Sequence, residues 1–193
     1  YYDWQEIKEN KDLGHLDLLG AFASSSVVSE YESALKEAQI TVVAAEFPGL
    51  SLARLIRDRW LGIEAEQHYV LMYLSGEGML ITILRNGNLY FNHFTPWAEI
   101  KGGFDLKKTT FEDVKGFVAA ELQRVLNFYL GKVGRPLEEA ILISPVFNYE
   151  IVKLVTETLG LKIRNLTIAE LPDLQPGWFH ALGAALRGII SRG

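Results

Sequence analysis

Val70–Phe91 reads V-L-M-Y-L-S-G-E-G-M-L-I-T-I-L-R-N-G-N-L-Y-F, and its punctuation decides what the rest of the chain must be. Two apolar runs, 69–74 and 79–84, are separated by Ser75-Gly76-Glu77-Gly78, and a third, 89–94, follows Asn86-Gly87. Asn-Gly supplies the positive φ angles that a two-residue hairpin turn needs, so the stretch predicts a three-stranded meander. By itself this is an ordinary hairpin of a globular domain. Its neighbours along the chain give it a more specific meaning.

Working outward toward the N-terminus, residues 1–7 alternate apolar and polar side chains and predict a strand, and 16–23 predict its buried neighbour. Ser24, Ser25 and Ser26 offer N-cap hydroxyls for a helix reaching about Ala38, with Val27, Val28, Tyr31, Leu35 and Ala38 on one face. The β-branched run 40–45 predicts a second strand, so that 16–45 forms a βαβ unit with parallel strands. After Pro48-Gly49, residues 50–60 predict a helix whose C-terminal Arg54, Arg57 and Arg59 complement its dipole. The polar connector 62–68 marks a domain boundary.

Toward the C-terminus, Thr109 or Thr110 with Glu112 and Asp113 forms a capping box that opens a long helix to about Leu130. Its stripe is Phe111, Val114, Phe117, Val118, Leu122, Val125, Leu126 and Tyr129. Gly131, Gly134 and Pro136 end it. A strand at 140–144, a helix at 148–159 stopped by Gly160, a strand at 161–166 and a helix at 178–190 complete the chain.

Composition narrows the function classes. With 193 residues, 49% of them hydrophobic and 22% charged, the chain can bury a core, and no apolar run approaches the roughly 18 to 20 residues of a membrane-spanning helix. A net charge of −5 with scattered Lys and Arg leaves no footprint for nucleic acid. Zero cysteines removes disulfides, thiolate metal sites and cysteine nucleophiles. His15, His68, His93 and His180 are far apart and form no metal-binding spacing, so neither a metal nor direct membrane insertion is expected.

Laid end to end, these pieces resemble the PilM family, the actin-like proteins of type IV pilus assembly and type II secretion platforms. The resemblance rests on Tyr2-Asp3-Trp4, on 26–46, on the meander, on Glu121–Tyr129, on Ile141–Ser144 and on Ala181–Arg187, in that order and spacing. It implies an α/β fold of actin-like (ribonuclease H-like) lobes, with mixed sheets flanked by helices. Residues 1–65 would be part of a first lobe and 66–193 a second lobe, with the N-terminal part missing and the inserted subdomain reduced.

The resemblance also locates what has changed. Actin-like ATPases hold metal-bound phosphates with D-x-G-x-x-x-T in this meander, and the corresponding residues here are Tyr73, Ser75 and Met79. Neither a phenol ring nor a thioether suits magnesium, which takes hard oxygen ligands. Where the family has Gly-Gly beside the adenosine, this chain has Pro145-Val146, which loses an amide donor and adds a β-branched side chain. Asp3, Asp17, Glu46, Glu77 and Asp105 remain as loose acids; Glu46, closing a strand, is the one that could hold a metal-bound water.

The expectation is therefore a non-catalytic cytoplasmic scaffold without cofactor, recruited to the inner membrane by the cytoplasmic tail of a membrane partner. The alternatives are a nucleotide-binding ATPase whose phosphate motif lies upstream, and a dimerisation module using the Gly183 and Ala184 face. Partner anchors are sought among Trp60, Trp97, Trp178, Phe104 and Phe147, because aromatic residues dominate interfaces. Trp97 and Phe104 are preferred, since both lie in a glycine-containing loop without periodicity.

Overall fold

The computed structural model describes residues 2–6, 18–58, 67–99, 109–144, 147–164 and 173–190. Two compact units divide between Phe47 and Pro48. In the first, strand β1 (Tyr2–Glu6) pairs antiparallel with β2 (Leu18–Phe22), and helix α1 (Ser25–Glu37) follows. Ser24 occupies the N-cap position with extended backbone, but its hydroxyl contacts that of Ser26 at 2.8 Å rather than capping the helix.

Residues 40–47 carry no regular structure, so the expected strand at 40–45 and its parallel crossover are not formed. A strand lives by its ladder, and β2 already pairs with β1. None of the described residues 18–47 is fully buried; Phe22 is 85% exposed, Tyr31 69% and Val43 89%. The amphipathic pattern of α1 is present, yet within this unit only Val28 and Leu35 of its stripe are half-buried.

The second unit is a five-stranded mixed sheet between helices. Strands β3 (His68–Leu74), β4 (Gly78–Arg85) and β5 (Asn88–Pro96) form the antiparallel meander, and β6 (Glu139–Ile143) and β7 (Lys162–Arg164) add parallel to β3, giving the order β5-β4-β3-β6-β7. Asn86 and Gly87 both adopt positive φ at the β4–β5 turn, as Asn-Gly dictates.

One face of the sheet, with Val70, Met72, Met79, Ile81 and Ile83, packs on helix α3 (Phe111–Val133) through Val114, Val118, Leu122 and Val125. Helix α4 (Asn148–Lys153) and the π-helical turn 154–158 join the same core through Ile151, Leu154 and Val155. The Thr110 amide and hydroxyl both donate to the Asp113 carboxylate, at 2.7 and 2.6 Å, closing the predicted box. Gly134, at φ +75°, ends α3 with its N–H on the Leu130 carbonyl at 2.8 Å.

The opposite face carries helices α2 (Pro48–Arg57) and α5 (Phe179–Ile190), which pack on each other. Gly183 lies so close to the Ser51 carbonyl that no β-carbon fits between them, and the Arg54 guanidinium donates to the Gly183 carbonyl. Because α2 packs on α5 and on β4 and β5, it belongs to the second unit. The contact boundary therefore precedes α2, whereas the sequence reading set it at 65/66.

Candidate functional site

The site to test is the β3–β4 hairpin, where an actin-like ATPase would hold phosphate. Tyr73 lies half-buried near the end of β3, its ring 5.6 Å from that of His180. Burial, reinforced by the Glu77 carboxylate, raises its phenol pKa above the usual value. It is a neutral hydroxyl at physiological pH and no substitute for a metal-binding carboxylate.

Ser75 carries the turn. Its amide donates to the Gly78 carbonyl at 2.9 Å, and its hydroxyl oxygen receives the amides of Glu77 and Gly78 at 3.2 and 3.3 Å. In a phosphate-binding hairpin, backbone amides at such a tip are the donors that reach an anion. Here the protein's own hydroxyl satisfies them. Gly78 is also pressed against β5: an added β-carbon would meet the Thr95 carbonyl and lie 2.6 Å from the Phe94 ring.

Met79 faces away from this site. Strand alternation and its pairing with Leu74 place it in the α3-side core, fully buried, whereas Tyr73 pairs with Leu80 on the other face. Of the three aligned positions, only Tyr73 and Ser75 therefore belong near one hairpin surface. Pro145 and Val146 lie outside the described residues.

Trp97 corrects the choice of partner anchor. It is 3% exposed, because the 3-10 turn 97–99 after β5 folds its indole back onto the hairpin. Its Nε1–H donates to the Ser75 carbonyl at 2.8 Å, its amide to the Glu77 carbonyl at 3.0 Å, and its ring packs on Phe117. Trp97 is a core residue that pins the hairpin. Phe104 and Trp60 lie outside the described residues, Phe147 packs against the core beside Phe111, and Trp178 is the exposed one at 63%.

Glu77 is exposed at the hairpin tip and Glu46 is half-buried after α1, while Asp17 and Asp105 lie outside the described residues. Among the described residues no three His, Asp or Glu side chains are grouped to hold a metal ion. The Gly183 face offered for dimerisation is occupied within the chain by Ser51.

Two clusters went unnoticed in the sequence. On the α3 side of edge strand β5, the Glu121 carboxylate accepts from Thr95 at 3.1 Å, contacts His93 Nε2 at 3.2 Å and is paired with Arg124. At the head of β3, His68 meets Tyr129 and Arg135. The i, i+2 spacing of His93 and Thr95 and the i, i+3 spacing of Glu121 and Arg124 were visible signals; the register joining strand to helix was not.

The meander, the parallel β3-β6-β7 extension and helices on both faces make a mixed α/β fold. Among solved structures, the chain is similar to the PilM–PilN type IV pilus biogenesis complex, at 18% identity and a TM-score of 0.75. The match covers 98% of this chain and 66% of that one, so the chain spans just under two thirds of the length it matches. The PilM-like fold implied by the sequence is thereby borne out. No family model and no curated protein matches the chain.

Proposed function

We propose that this chain is a non-catalytic, PilM-like scaffold that holds a partner protein of an envelope-spanning pilus or secretion machine. The observation that carries the reading is the Ser75 hydroxyl receiving the Glu77 and Gly78 amides, with the turn pinned by Trp97. A phosphate arriving there would have to displace an internal acceptor and would find a phenol where the metal-binding carboxylate belongs. The likeness to a PilM–PilN complex supports a protein partner, and the proposed partner is the cytoplasmic tail of an inner-membrane protein. No described helix is long and apolar enough to cross a membrane, consistent with recruitment through that partner.

Thermal unfolding with and without magnesium-ATP tests the reading. A ligand at 100 times its Kd would add roughly 2.7 kcal/mol of stability. The expected result is no ATP-dependent shift in Tm, together with a saturable shift from the partner's tail peptide. A clear ATP-dependent rise would replace the scaffold with a nucleotide-binding protein.

A further inference from the structure

The net charge of the chain is carried by its first unit. Residues 1–47 hold nine Asp and Glu against three Lys, a net of −6 where the whole chain carries −5. The same unit leaves large apolar side chains on its surface, with Val27 51% exposed and Tyr31 69%.

Helix α1 puts these two kinds of group side by side. At 3.6 residues per turn, Val28 and Leu35 share one side, and both are half-buried within the unit. Val27, Tyr31 and Ala34, at i, i+4 and i+7, form a separate and exposed stripe next to it. Glu30 and Glu37, both exposed, edge the stripe on its outer side, whereas Lys36, the one basic residue of α1, lies on the opposite side of the helix. The two carboxylates are seven residues apart, which is two turns and about 10.5 Å along the axis.

An apolar stripe edged by carboxylates selects its occupant by charge. Nucleic acid, an anionic membrane surface and the same face of a second copy are all negative, and the field of this unit repels them. A helix of opposite character fits: apolar side chains cover the stripe, and cationic side chains one heptad apart reach the two carboxylates, as in other recognition of an amphipathic helix through i, i+4 and i+7 anchors.

We propose that the Val27, Tyr31 and Ala34 face of α1 docks a basic amphipathic helix of a protein partner, whose Lys or Arg residues at i and i+7 pair with Glu30 and Glu37. This surface is separate from the β3–β4 hairpin. An ATP-dependent rise in Tm would therefore overturn the scaffold reading and leave the docking face standing.

The test is an amide NMR titration of the full chain at low salt. The probe is a capped 14-residue peptide of two Lys-Leu-Ala-Ala-Leu-Ala-Lys repeats; the controls are the same peptide with Glu in place of Lys, and a scrambled peptide of the same composition. The expected result is a saturable shift of the Val27, Tyr31 and Ala34 amides by the probe and by neither control. Because Tyr31, Glu30 and Glu37 are exposed, their substitution leaves the fold intact. Y31S should weaken binding about tenfold, as loss of an aromatic anchor does. The double variant E30Q/E37Q should weaken it about threefold, the scale of two exposed ion pairs. No saturable shift up to about 1 mM probe, an equal response to either control, or unchanged binding by Y31S would overturn the proposal. Shifts of the same amides on raising protein concentration without peptide would give the face to a second copy and overturn it as well.

Discussion

Ser75 stands where the phosphate hairpin has glycine, and its side chain does what a bound phosphate would do, closing the turn by accepting two amides. Neighbouring Gly78 is equally constrained, since a β-carbon there would run into the Thr95 carbonyl and the Phe94 ring. Gly78→Ala should destabilise the protein by about 1–3 kcal/mol, the range for overpacking, as read by denaturant unfolding. His68 predicts a pH effect whose sign is fixed. Its pKa falls from 6.5 to about 4 on folding, so between these values the unfolded chain binds more protons. Stability should drop as pH is lowered from about 6.5 toward 4, and H68Q should show a shallower decline in Tm over that window. Residue types alone argue against Tyr73 and Met79 as ligands of a hard metal ion. Their placement did not follow from type, because the inward turn of Met79 depends on its register with Leu74.

Helix α3 was legible because its signals are local: a capping pair three residues apart, an apolar stripe and a terminal glycine. Thr110→Ala should cost about 1 kcal/mol by loss of the cap, measured by chemical denaturation. The hydrogen bonds from Thr110 also hold the exposed Asp113 carboxyl below the usual carboxylate pKa. That contribution is present above the unfolded pKa and fades as pH falls through the folded one. Elements whose existence depends on distant partners were harder to read. The 40–45 run has strand-forming residues but no pairing strand among the described residues, and Trp97 looked like a loop residue until the turn after β5 carried it under the hairpin.

Across the whole molecule, the order of the elements carried more information than any single motif. No stretch of this chain matches a family model, yet the succession of meander, long capped helix and parallel strands pointed to the fold that the PilM–PilN likeness bears out. What the order could not convey was the unit division, because it depends on α2 packing against α5, at the far end of the chain. The hairpin end of the five-stranded sheet is closed by its own hydroxyl and indole. The most direct test of the closed hairpin is to follow the Glu77 and Gly78 amide signals by NMR while titrating a non-hydrolysable ATP analogue with magnesium. The account predicts that neither signal moves beyond the change produced by magnesium alone; a saturable shift of both would contradict it.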